Sequence, residues 1–239
     1  MQHEEMTSRP KLGLLFLHAL PLDGSMWVRQ SNLLPNSTYM PTLYSCGDTV
    51  GAWAAGALHH AKDERLIVVG CSVGGSCALE VAAIAPERVA ALVLIGTKAN
   101  HRPDPQLHAS VLEMMEKNGL EAAWRTFWAP LFSKSASASV MTAAKETFIR
   151  QSAKEIEIGV TAFHTRPSRG EILSTFSGPV TIVSGAEDIA PGLKVSAAQA
   201  NSARNGVLMI VPDCGHYVPL EKPERLNEIL RDVISAVIE

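Results

Sequence analysis

Residues 66–75 read Leu-Ile-Val-Val-Gly-Cys-Ser-Val-Gly-Gly, an apolar run that leads straight into Gly70-Cys71-Ser72-Val73-Gly74. The uninterrupted stretch Leu66–Val69 predicts a central parallel strand buried on both faces. After it, Cys77, Ala78, Val81, Ala82 and Ala85 recur at helical spacing, and Pro86 closes the helix. Gly-x-Ser-x-Gly therefore stands at a strand-to-helix turn. A serine there is held in strained backbone, with the residues two places either side in close approach. Gly70 and Gly74 permit that approach because they lack a Cβ. The strain lifts the hydroxyl above the sheet, and the helix starting near Val73 adds its positive end where an oxyanion would form. Ser72 is the candidate nucleophile; the plain alternative is a glycine-rich turn without chemistry.

Working outward, strands and helices alternate, which predicts a parallel sheet covered on both faces. The expected strands are Leu12–Leu17, Thr42–Cys46, Leu66–Val69, Val89–Ile95, Pro179–Ser184 and Val207–Val211. Gly51–Lys62 reads as a helix. Pro223–Ile238 reads as an amphipathic one with Leu226, Ile229, Leu230, Val233, Ile234 and Val237 on one face. Between Lys98 and Phe176 the rhythm breaks. Helical patterns replace it over Pro105–Lys117, Leu120–Leu131, Ser137–Gln151 and Ala153–Arg166. Each is too short to stand alone, so the segment must pack on the sheet. The expected organisation is a core domain of residues 1–97 and 177–239 with a helical cap, 98–176, inserted over the active-site edge.

Composition removes several classes. The chain has 239 residues, 46% of them apolar, which suits one sizeable domain with an insertion. A net charge of −3 without a basic stripe argues against nucleic acid as a partner. No apolar run approaches the roughly 20 residues of a membrane span. Glu4 and Glu5 before Leu12–Leu17 are wrong for a secretory signal. The four cysteines, Cys46, Cys71, Cys77 and Cys214, form no Cys-x-x-Cys pair and no metal-ligand spacing. The expectation is a cytoplasmic protein with reduced thiols, Cys71 and Cys214 serving as small packing residues.

Ser72 needs a base, and His216 is the best placed. It lies in Pro212-Asp213-Cys214-Gly215-His216, past the last strand and so at the same carboxyl edge. The histidine needs an orienting carboxylate. Asp188, in Gly185-Ala186-Glu187-Asp188, is preferred over its neighbour Glu187 and over Asp213, which is close to His216 along the chain. Two N–H donors must hold the oxyanion. The expected pair is Val73, after the nucleophile, and Leu20, in the loop after the first strand. His18, at the end of that strand, reads as scaffolding for this loop rather than as a base.

Together, His18-Ala19-Leu20-Pro21 through Trp27, Gly70–Gly75, Gly185–Asp188, and Gly215-His216 followed by Pro219, Glu221 and Pro223 resemble the α/β-hydrolase superfamily. The order serine, acid, histidine is that family's order. The resemblance covers nearly the whole chain except the cap. It departs from the pattern at Ala19, where the family often has glycine. It also departs in the roughly ten residues before the first strand, which leave the usual N-terminal antiparallel hairpin missing or vestigial. The chain looks most like the small esterase and enol-lactonase branch, with about six parallel strands and a short cap.

The resemblance implies hydrolysis of a small or medium carboxylic ester through an acyl-enzyme, with no metal and no organic cofactor. Its nearest rival is a lactonase using the same triad, and a rival of another class is a triad-retaining ligand receptor. Carbon–carbon bond hydrolases and perhydrolases keep the serine as well. Haloalkane dehalogenases and epoxide hydrolases need an aspartate nucleophile, which Ser72 argues against. Trp124, Phe127, Trp128 and His164 are the expected substrate-pocket residues. Arg102, Arg125, Arg150 or Arg166 would pair with a substrate carboxylate if one points inward. The expected partner is thus a small-molecule ester or lactone, and the sequence leaves the oligomeric state open.

Overall fold

A computed structural model describes residues 11–239. The expectation about an N-terminal hairpin falls on residues 1–10 and lies outside the described residues. The sheet begins at β1 (Leu12–Leu17), whose partner on the outer side is the short β2 (Thr38–Tyr39). Helix α1 (Val50–His60) crosses to β3 (Arg65–Cys71), and helix α2 (Val73–Ile84) crosses to β4 (Val89–Ile95). Far along the chain come β5 (Val180–Gly185) and β6 (Gly206–Val211). The six strands lie in the order β2-β1-β3-β4-β5-β6, and every pairing is parallel.

Register explains why distant residues converge. Leu17 pairs with Gly70, Cys71 with Ile95, Ile95 with Val183, and Gly185 with Val211. The loops after β1, β3, β4, β5 and β6 therefore leave from one edge. The chain order reverses between β1 and β3, and the crevice at such a reversal is where ligands bind in open α/β sheets. Burial follows the strand positions. Every residue of β5 is buried, as is all of β3 after Arg65, whereas β6 at the sheet margin leaves Val207 and Ile210 exposed.

The stretch Thr42–Cys46 is not a strand. Leu43–Cys46 forms a single 3₁₀ turn, and Thr38–Tyr39 takes the sheet position instead. The physical reason lies in the partners. The Leu43 N–H donates to His18 Nε2 at 2.8 Å and the Ser45 N–H to the Thr42 carbonyl, so these groups are committed away from the ladder. Leu43 and Tyr44 are buried by this turn.

Between β4 and β5 the chain is helical: α3 (Pro105–Ala123), α4 (Ala138–Ile149), α5 (Ala153–Thr165) and α6 (Gly170–Thr175). Asp104 caps α3 by accepting from Leu107 N, and Ser152 with Glu155 forms a capping box on α5. Gly119, at φ 78°, bends α3 where the sequence pattern separates two helices. A π-helical turn follows over Trp124–Trp128 and a 3₁₀ turn over Ala129–Leu131. Arg169 anchors the end of this segment to α2, its Nε and Nη2 donating to Glu80 at 2.7 and 3.0 Å. Helix α7 (Leu193–Ser202), which the sequence reading did not assign, separates β5 from β6. Beyond β6 lie α8 (Val218–Glu221) and α9 (Pro223–Ile238), the latter burying Leu226, Ile229, Leu230 and Ile234. Among the described residues no helix is long and apolar enough to cross a membrane.

Candidate active site

Ser72 occupies the residue between β3 and α2 with φ 56° and ψ −119°, a left-handed conformation that a side chain rarely adopts. Its N–H is held by the Ile95 carbonyl at 2.8 Å. The turn is as crowded as the motif requires. A Cβ on Gly70 would lie 2.3 Å from the Gly74 carbonyl oxygen, and one on Gly74 would lie 2.1 Å from that of Leu17. Val73 is the first residue of α2, where a backbone N–H has no carbonyl partner within the helix.

The loops after β5 and β6 bring a histidine and a carboxylate together. His216 Nδ1 lies 3.1 Å from Asp188 Oδ1 and 3.2 Å from Oδ2, with His216 2% and Asp188 6% exposed. The carboxylate is itself oriented, since Oδ1 accepts from Ala190 N at 2.8 Å. With Nδ1–H donating to the carboxylate, Nε2 is left as the acceptor. Glu187 goes elsewhere, accepting from Lys134 N at 2.9 Å. The histidine loop is also tied to the helical segment. His216 N donates to the Leu131 carbonyl, and Glu221 accepts from both Gly215 N and Ser133 N.

One residue here went unread in the sequence. Gly96 follows β4 at φ 54°, and a Cβ on it would stand 2.7 Å from His216 Nδ1 and 3.0 Å from Asp188 Oδ2. The position needs glycine twice over, for the backbone angle and for the room. A glycine directly after a buried strand was the available signal.

His18 is fully buried and uses both ring nitrogens, Nδ1 toward the Ala19 carbonyl and Nε2 toward Leu43 N. Burial pushes its pKa down to about 4, so the ring is neutral at ordinary pH. It braces the loop after β1, in which Ala19 N is engaged by Met26 Sδ and the Leu20 carbonyl accepts from Tyr217 Oη. Cys71 and Cys214 are buried, and burial holds both thiols above their usual range, so they remain protonated.

A cavity of about 410 Å³ opens beside these groups. Ser72, His216, Leu20 and Gly96 line one side, and Phe127, Trp128, Phe163 and His164 of the helical segment line the other. Trp124 does not reach it. That ring is packed inside the helical segment, 5.8 Å from Phe148 and 6.1 Å from Phe132 between centroids. Of the four arginines expected near a substrate carboxylate, Arg166 lines the cavity, whereas Arg102, Arg125 and Arg150 are exposed. Among the described residues no three or more His, Cys, Asp or Glu side chains are grouped to hold a metal ion.

The architecture places the chain among the doubly wound α/β proteins whose ligand site lies at the carboxyl edge of the sheet. Residues 14–229 match the alpha/beta hydrolase family, and the chain belongs to it. No curated protein matches in sequence. Among solved structures, the chain is similar to a thermophilic esterase from Thermogutta terrifontis (24% identity, 95% of this chain and 91% of that one, TM-score 0.86). It is also similar to an enol-lactonase from Burkholderia xenovorans LB400 (17% identity, 97% and 94%, TM-score 0.78). A third is Est816, described as an N-acyl homoserine lactone degrading enzyme (20% identity, 93% of each chain, TM-score 0.73). At these identities the likeness is one of fold.

Proposed function

We propose that this hydrolase cleaves small to medium carboxylic esters through Ser72, His216 and Asp188. The observation that carries the reading is the buried His216–Asp188 pair, whose histidine shares one cavity with a serine held at positive φ. In this scheme His216 Nε2 takes the Ser72 proton as Oγ attacks the acyl carbon. The N–H groups of Val73 and Leu20 hold the oxyanion, and Asp188 stabilises the imidazolium. The imidazolium then protonates the departing alcohol. Water, deprotonated by His216, cleaves the acyl-enzyme and returns Ser72 to the hydroxyl form. Residues 98–176 act as a cap whose inner face sets the shape of the acyl pocket.

Lactone ring opening follows the same steps, with the alcohol remaining attached to the acid. The test is steady-state turnover of wild type and Ser72→Ala on p-nitrophenyl esters of rising acyl length beside a lactone panel. Fast, serine-dependent turnover of the esters is expected. A strong preference for lactones would move the assignment to ring opening. Serine labelling by an organophosphate without turnover of either panel would favour a ligand receptor.

A further inference from the structure

Arg166 is 6% exposed, follows α5 directly, and lines the cavity that Ser72 and His216 share. Its hydrogen bonding is incomplete. Nη1 donates to the Phe163 carbonyl, the guanidinium carbon lies 3.9 Å above the Phe163 ring, and Nε is buried without a partner. Among the described residues no carboxylate pairs with it, in contrast to Arg169, which has Glu80. Burial lowers its pKa to about 10, still far above neutral, so the charge persists. No aspartate or glutamate is among the residues lining the cavity, where Lys98 adds a second positive charge and His164, its pKa lowered by burial to about 4, stays neutral. A buried cation without a counter-charge is expensive, and the expense is relieved when an anion enters. Arginine's planar fork matches a carboxylate in particular.

We propose that the cavity selects esters or lactones carrying a second, ionised carboxylate, seated against Arg166 while the ester carbonyl stands at Ser72. This rests on the ester-hydrolase reading. The reaction is unchanged in its balance: water adds across the acyl–oxygen bond, the alcohol leaves, and the distal carboxylate keeps its charge throughout.

The test compares kcat/KM for monoethyl succinate, glutarate and adipate with the corresponding diethyl esters in wild type, Arg166→Met and Arg166→Lys. Wild type is expected to favour at least one monoester by about tenfold or more, the scale of a hydrogen bond to a charged group. That ratio should collapse toward unity in Arg166→Met and be partly kept in Arg166→Lys, which retains a point charge without the fork. If Arg166→Met does not fold, judged by loss of organophosphate labelling at Ser72, a severalfold drop in the ratio for Arg166→Lys carries the proposal and an unchanged ratio sinks it. Equal turnover of mono- and diesters by wild type, or a preference that survives in Arg166→Met, overturns the proposal and leaves ester hydrolysis standing. Turnover of neither series would break the ester reading instead. Calorimetric titration with glutarate then decides separately: binding lost in Arg166→Met upholds the carboxylate seat, and no binding to wild type refutes it.

Discussion

The turn at Ser72 and the helices of residues 98–176 face each other across one cavity, yet they are built on opposite terms. In α2, from Val73 to Ala82, every residue is buried, and the strand before it is buried after its first residue. In α3 only Val111 and Ala123 are buried over 19 residues. One wall of the cavity is held by packing on all sides and by backbone contacts too close for any Cβ. The other is an amphipathic layer, clasped at a few points such as Arg169–Glu80 and Glu221–Ser133. On the proposed reading, the difference assigns the chemistry to the sheet edge and the selectivity to the helical layer. A proton relay needs atoms held to fractions of an ångström, which the sheet edge supplies. Selection among substrates needs a surface that can vary without unfolding the protein, and the helical layer supplies that.

The comparison breaks first at the nucleophile. Ser72→Ala is expected to lower ester turnover by about 10⁵–10⁶-fold with the melting temperature nearly unchanged, read by steady-state kinetics and calorimetry. Substantial retained turnover would remove the sheet edge from the chemistry. Next comes the adjacent carboxylate pair. Asp188→Asn should cost about 10⁴-fold in kcat, while Glu187→Gln should change kcat little, since its carboxylate serves Lys134 N. The reverse order would mean that the acid has been misassigned.

The packed interior of the helical wall should respond in stability rather than in rate. Trp124→Ala removes a ring packed against Phe132 and Phe148 and is expected to cost about 3–5 kcal/mol in chemical denaturation. Phe127→Ala, at the cavity, should instead shift the preferred acyl length. Similar behaviour of the two variants would erase the distinction between the core of that layer and its inner face.

Acid should loosen the sheet side through His18. Its folded pKa of about 4 lies below the 6.5 of the free side chain, so between these values the unfolded chain binds the extra proton. Stability is therefore fully present above about pH 6.5 and is lost as pH falls toward 4, by about 3 kcal/mol in all. Denaturation midpoints measured across this window should fall less steeply in His18→Gln than in wild type. Among the variants expected to slow the reaction, the mildest is Gly96→Ala, about a hundredfold in kcat as the methyl group displaces the His216–Asp188 pair. An unchanged kcat would show that the pair tolerates displacement.

Local signals made much of this legible in advance. The run from Leu66 to Gly75 carries both the strand and the turn, because continuous apolar burial and glycine spacing are properties of neighbouring residues. The sheet's parallel plan and Pro223–Ile238 were legible for the same reason. Thr42–Cys46 misled because an apolar run of that length fits a strand or a buried turn equally, and only the contact of Leu43 N with His18 decided it. Helix α7 was passed over because its polar and small residues, Leu193–Ser202, carry a weak apolar stripe.

What the sequence by itself determined is therefore the sheet, the strained serine turn and the short list of residues able to act with it. The tertiary structure alone decided among near-equals on that list. Asp188 and Glu187 are adjacent, yet one meets His216 and the other meets Lys134 N. Arg166 lines the cavity while Arg102, Arg125 and Arg150 stay in solvent, and Phe127 and Trp128 line it while Trp124 does not. Gly96 matters because β4 delivers it beneath a histidine 120 residues further along the chain. Sequence spacing specifies which face of a strand or helix a residue takes. Which loop it meets depends on strand order and register, and those are settled only when the whole sheet has assembled.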